Sequence, residues 1–142
     1  MRHALRVCIL LATVAATAAL ASCDLVVPQG DFNITVKQMS STNPLFGMGS
    51  SGLAYVVNGV EGKTITLTAG STYTFGVNSP GHPFYISTSA MGGTGFPGEV
   101  TMGVTGSRTE FGLLTFVAPN APTTLYYQCG VHEYMGGTIN VQ

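Results

Sequence analysis

The chain is 142 residues long, 45% hydrophobic and only 8% charged, with 19 glycines, no tryptophan and a formal net charge of −1. Soluble domains carry about 25% charged residues and about 7% glycine, so this composition excludes a coiled coil, a long surface helix and a charge-driven disordered tail. It also excludes a nucleic-acid binder that neutralises phosphates, which needs clustered Lys and Arg. The length allows one domain, and the glycine excess points to short strands joined by many turns.

Arg2, His3 and Arg6 open the chain, and an apolar, uncharged run follows from Val7 to Leu20. That run is shorter than the roughly 20 residues a bilayer-spanning helix needs, so residues 1–22 are expected to be a secretory signal peptide. Leu20-Ala21-Ser22-Cys23 resembles a bacterial lipobox. The resemblance implies that Cys23 is lipidated and becomes the first residue of an exported, membrane-anchored chain facing the periplasm or the cell surface. The mature chain would then run from 23 to 142, with Lys37, Lys63 and Arg108 against six acidic residues, a net charge of −3. That is enough chain for one sandwich core and too little for two domains.

Cysteine usage sets the sharpest limit. Cys8 leaves with the signal and Cys23 takes the lipid, so Cys129 has no partner for an intramolecular disulfide. A leftover thiol in an exported chain points to intermolecular pairing, a reactive thiol or a metal ligand. The only histidines left are His82 and His132.

Residues 23–31 read as the lipidated cysteine and a short tether, with the domain over 32–142. At 3.3–3.6 Å per residue, the eight tether residues reach at most ~30 Å, which keeps the domain near its membrane. Beyond it the hydrophobic period is 2 rather than 3.6. Alternating or β-rich runs predict strands at Asn33–Lys37, Leu53–Val57, Thr64–Thr68, Thr72–Phe75, Phe84–Ser87, Phe111–Ala118, Leu125–Cys129 and Thr138–Val141. Ala69-Gly70-Ser71 reads as a tight hairpin turn, and Asn58-Gly59 with Glu61-Gly62 as a second turn region. Thr88–Arg108, with six glycines, reads as a long excursion with little regular structure. Seven or eight short strands make the fold class all-β, an antiparallel sandwich or barrel.

The chemistry lies near the C-terminus, in Tyr126-Tyr-Gln-Cys129-Gly-Val-His132-Glu-Tyr-Met135-Gly-Gly. A thiolate, an imidazole and a thioether stand at i, i+3 and i+6, where a strand–loop–strand arch turns all three toward one point. His82 stands upstream in Ser79-Pro-Gly-His-Pro. Two imidazoles, one thiolate and one weak thioether are the ligand set of a blue-copper electron-transfer site. The soft sulfurs suit Cu(I) and imidazole suits Cu(II), and no position is left open for a substrate. A structural zinc site would offer four strong ligands instead.

On these residues the chain resembles the small cupredoxins. C-x2-H-x2-M is similar to the ligand loop of the amicyanin-type members, and the flanks match cupredoxin-like proteins with G-H-P-F and Y-Y-x-C-x2-H-x2-M-G-G. The resemblance covers roughly residues 53–142. It implies a Greek-key β-sandwich with one mononuclear type 1 copper, His82, Cys129 and His132 as strong ligands and Met135 as the long axial one. Two departures matter, and the first is that Pro83 stands where many cupredoxins have an Asn whose N–H donates to the cysteine sulfur, while proline has no N–H to give. Many relatives carry Pro just before the second His, whereas Val131 keeps its N–H as a compensating donor.

The expected function is that of a monomeric, lipid-anchored electron carrier at the cell envelope, docking weakly with redox proteins and leaving nucleic acid alone. Gly130, Val131 and Gly136 would supply a small, weakly polar docking surface around His132. An enzyme is not expected: G-x-S-x-G, H-E-x-x-H and phosphate-cradling loops are all missing from the sequence. Two other readings use the same residues, a copper-binding or delivery protein and a metal-free structural envelope lipoprotein with the same fold. Met39, Met48, Met91 and Met102 are scattered and read as core fillers. Tyr126 and Tyr127 alternate faces, and Glu133 reads as a solvated rim charge.

Overall fold

The computed structural model describes residues 26–142; the expected signal peptide over 1–22, Cys23 and the first two tether residues lie outside the described residues. Ten strands follow one another: β1 (Phe32–Gln38), β2 (Leu53–Val57), β3 (Val60–Glu61), β4 (Ile65–Leu67), β5 (Thr72–Asn78), β6 (Phe84–Ser87), β7 (Val104–Thr105), β8 (Phe111–Val117), β9 (Thr123–Cys129) and β10 (Gly137–Val141). Among the described residues there is no helix. All eight expected strands are present, and the two additional ones, β3 and β7, are two-residue pairings too short to leave a periodic signature. Asn58 (φ 46°) and Gly59 (φ 82°) form the turn between β2 and β3, the left-handed pair that a two-residue hairpin requires.

The strands form two sheets, one ordered β3-β2-β1-β5-β8-β7 and the other β4-β10-β9-β6. The architecture is an all-β sandwich, but both sheets are mixed rather than antiparallel, because β1 pairs parallel with β5 and β4 parallel with β10. The expected hairpin at Ala69–Ser71 is not one. Strand β4 pairs with β10 while β5 pairs with β1 and β8, so this short link carries the chain from one sheet to the other. Parallel neighbours arise in this way, since a strand that leaves its sheet and returns need not reverse direction against its new partner.

Alternation builds the core. Leu114 and Phe116 point inward while Phe111, Leu113 and Val117 remain exposed, and Leu125, Tyr127 and Cys129 of β9 are buried with Tyr126 only half so. Inner side chains such as Ile34, Tyr55, Phe75 and Val77 from the larger sheet meet Ile65, Phe84, Ile86 and Ile139 from the smaller. Fully burying each such side chain contributes roughly 1.5–3 kcal/mol. Of the four scattered methionines only Met39 is a core residue; Met48, Met91 and Met102 are exposed. They lie on loops outside the alternating strands, where no pattern forces burial.

The segment before β1 lies against the larger sheet. The side of Gly76 where a Cβ would project meets Pro28 and Gly30, and Asp31 Oδ2 accepts from the N–H and hydroxyl of Thr74. Hydrogen bonding to Thr74 holds the Asp31 carboxyl below its usual range.

Two long loops connect the strands. The Thr88–Arg108 excursion carries only β7; Phe96 stands edge-on to Tyr85 at 5.2 Å, the Arg108 guanidinium lies 4.0 Å over the Phe96 ring, and Arg108 pairs with Glu99. The loop after β1 is tied down by Glu61, whose Oε1 accepts from the Ser40 N–H and the Asn43 amide while Oε2 pairs with Lys37 Nζ at 2.7 Å. Burial pushes the Glu61 carboxyl up, but the bonds from Lys37, Asn43 and Ser40 outweigh it and hold it at about 2, against an ordinary value of 4.5. A depressed carboxyl stabilises the fold fully above its unfolded pKa, and that contribution fades as pH falls through the folded value. The melting temperature of Glu61→Gln is therefore expected to lie below that of the parent at neutral pH. The gap should close between about pH 4.5 and pH 2; a gap constant across that range would contradict this account.

Candidate metal centre

The site is assembled by strand register. Strand β9 ends at Cys129, which pairs directly opposite Phe84 of β6. His82 lies two residues before Phe84, so this pairing brings together residues 47 apart in sequence. After Cys129 the chain makes a loop over 130–136 and returns as β10, with Gly137 opposite Tyr127, which swings His132 back over the end of β9.

His82, Cys129 and His132 present one donor atom each, all within 4.8 Å of one another. The two imidazoles face each other through Nδ1 at 3.1 Å, and Cys129 Sγ stands 3.8 Å from His82 Nδ1. An ion held at about 2.0–2.3 Å by nitrogen and thiolate places its donors roughly 3–4 Å apart, so the three atoms fit a single ion. Cys129 is fully buried and both histidines are half-buried. Burial, then the neighbouring His132, push the His82 imidazole below its ordinary pKa, which favours the neutral form that binds metal. Sulfur with two nitrogens is a donor set that copper favours. Met135 is fully buried and belongs to the same core cluster as Cys129.

Hydrogen bonds around the thiol follow from the sequence of the loop. The N–H groups of Val131 and His132 approach Sγ at 3.4 and 3.5 Å. Pro83 donates nothing; its carbonyl accepts from the Gly130 N–H at 2.9 Å. The non-proline residue at 131 thus supplies a donor to the sulfur while position 83 does not.

Loop shape depends on two glycines. At Gly130 a Cβ would collide with the Phe96 ring, and at Gly136 with the carbonyl oxygen of Tyr127. Both are buried, which corrects the expectation that they form a docking surface: only Val131 of that trio is exposed, at 48%. The exposed surface beside it comes from elsewhere. Met91 accepts the Tyr134 N–H on its carbonyl at 2.7 Å, and Gly49 abuts Glu133 and Tyr134, so the segments carrying the exposed Met91 and Met48 border the loop. Tyr134 itself adopts a φ of 59°, a left-handed conformation costly for a bulky residue. Glu133 is exposed.

Neither Tyr55 nor Ser79 stands out in the sequence, yet both touch the site. Tyr55 Oη donates to the His82 carbonyl at 2.8 Å and Ser79 Oγ to the same oxygen at 2.9 Å. Burial, reinforced by Cys129 beside it, raises the Tyr55 phenol well above the usual tyrosine range, so it stays a donor. In the sequence Tyr55 is one member of a buried run and Ser79 one residue of a turn; neither pattern reveals a contact to His82.

No family model and no curated protein matches the chain. Solved structures similar to it include reduced rusticyanin, at 22% identity over 78% of each chain with a TM-score of 0.46. Rusticyanin from Thiobacillus ferrooxidans is 21% identical over 78% of this chain and 76% of that one, with a TM-score of 0.42. A variant of the McoA multicopper oxidase from the hyperthermophile Aquifex aeolicus is 19% identical over 78% of this chain but only 26% of that one, with a TM-score of 0.42.

Proposed function

We propose that this chain is an exported, lipid-anchored copper protein that passes single electrons between redox proteins at the cell envelope, without catalysing a reaction of its own. The observation that carries the copper reading is the convergence of two imidazoles and a buried thiol, one donor atom from each within 4.8 Å of the others, with two backbone N–H groups directed at the sulfur. Bound there, a copper ion would supply one-electron chemistry. The chain's own contribution is a rigid shell: β9, the loop over 130–136 and the His82 turn hold the donors in place whatever the oxidation state, which keeps reorganisation small. Met135, buried in the same cluster as Cys129, would complete the ligand set as a weak thioether donor. Half-buried His132 beside exposed Val131 is the natural exit for the electron, and the border formed by Val131, Met91 and Met48 suits brief, weak docking.

The test is titration of the full-length protein, solubilised in detergent, with Cu(II). An intense visible thiolate-to-copper band saturating at one equivalent, with reversible cycling and copper retained, is the expected result. Transfer of Cu(I) to a thiol acceptor on reduction would favour copper delivery instead. Absence of both the band and any gain in thermal stability would leave a metal-free envelope module. Mass spectrometry of the chain reports separately whether Cys23 carries lipid.

Hydrogen bonds to the sulfur tune the potential of such a site. An electron-rich thiolate favours Cu(II), so supplying an N–H at position 83 is expected to raise the reduction potential of Pro83→Asn, and removing one in Val131→Pro to lower it. Voltammetry of both variants checks the sign; a Pro83→Asn potential equal to or below the parent's would refute it.

A further inference from the structure

We propose that Tyr55 is a positioning residue for the metal centre, fixing the backbone of two ligand-bearing segments at once; the inference rests on the copper reading above. Its two arms are both hydrogen bonds to carbonyls. The phenol donates to the carbonyl of His82 at 2.8 Å, and the backbone N–H donates to the carbonyl of Met135 at 2.8 Å. Tyr55 belongs to β2 of the larger sheet, whereas Met135 leads into β10 of the smaller one. One residue of the opposite sheet therefore spans the separation between the His82 turn and the end of the loop over 130–136.

The His82 end needs such a clamp. The peptide between His82 and Pro83 has no N–H, so its carbonyl is the only polar group by which that peptide can be held. Two hydroxyls converge on it, from Tyr55 and from Ser79 at 2.9 Å. The rest of the turn is exposed at Pro80 and Gly81 and is fastened by Gly81 N–H to Glu110 Oε2 and Ser79 N–H to the Glu110 carbonyl. Tyr55 is itself closely packed: fully buried, edge-on to Phe84 at 5.2 Å and tilted against Tyr127 at 6.4 Å. A rigid ring with a hydroxyl at its tip sets where the His82 backbone sits, and hence where its imidazole points.

Tyr127 is the internal control. It is equally buried, but its hydroxyl donates to the Lys63 carbonyl at 2.9 Å, on a segment that carries no ligand. Tyr55→Phe and Tyr127→Phe each delete one buried phenol hydrogen bond and keep the ring. In the full-length protein in detergent, both are expected to lower the melting temperature of the metal-free form. Only Tyr55→Phe should weaken copper binding, by about 10–100-fold as for other outer partners of metal ligands, and alter the relative intensities of the visible copper bands. If Tyr55→Phe fails to fold, Ser79→Ala, which strips the other hydroxyl from the same carbonyl, is expected to shift affinity and spectrum in the same direction. Parent-like affinity and spectrum in Tyr55→Phe, or equal changes in Tyr127→Phe, would overturn the proposal. A parent protein that binds no copper would remove the proposal together with the electron-carrier reading, and that result is distinct from a copper-binding parent indifferent to Tyr55.

Discussion

Cys129→Ala is expected to abolish the visible copper band entirely and to leave the fold intact. The sulfur is the only thiol among the described residues, so no other side chain described there can replace the charge-transfer partner. Loss of a direct thiolate donor should weaken copper by more than the ~10–100-fold that loss of an outer partner costs. Stability then separates metal from packing. Copper at a thousand times its dissociation constant stabilises a folded protein by about 4 kcal/mol, and this increment should vanish in the variant. The metal-free forms should differ little by comparison, because a buried cysteine acts as a small hydrophobe that alanine partly replaces. Spectra and thermal melts of both forms, with and without copper, check each part. A surviving band would mean that Cys129 is not a ligand.

The second large effect is expected at Gly136. Its backbone lies so close to β9 that a Cβ would overlap the Tyr127 carbonyl oxygen and stand 2.7 Å from Gln128 Oε1. The obstacle is strand backbone two residues before Cys129, so it cannot rotate away as a side-chain tip would. Gly136→Ala must push the end of the loop off the sheet, at a cost of about 3 kcal/mol, the upper part of the range for overpacking. For a domain of this size that lowers the melting temperature by ~10 °C. Met135 is the preceding residue and its carbonyl bonds to Tyr55, so the same shift should disturb copper binding. A metal-free melt unchanged by the substitution would show that the loop has slack which the contacts at Gly136 do not suggest.

Much of the site was legible before folding. His82, Cys129 and His132, which the structure brings together, emerge from an inventory with few members, three cysteines and three histidines in the whole chain, and from a C-x2-H-x2-M spacing. Tyr55, Ser79 and Glu110 do not emerge, because their contribution is a contact to a backbone carbonyl or N–H, and such contacts leave no residue pattern. The two loop glycines show the same limit from the other side. In sequence, Gly130 and Gly136 resemble small surface residues; the Phe96 ring and the Tyr127 carbonyl that bury them come from other parts of the chain.

Period-2 alternation determined, by itself, that the chain is all-β and where eight strands lie, since a strand's buried face depends only on every second residue. It could not choose partners. That β4 joins β10 and β5 joins β1 and β8, so that Ala69–Ser71 crosses between sheets, depends on which buried faces fit together over long separations. Register was decided the same way: a slip of one residue between β6 and β9 would turn every side chain to the opposite face. Only the pairing of Phe84 with Cys129 sets His82 beside the thiol. The candidate donors are thus encoded locally, and the distance between them belongs to the tertiary structure.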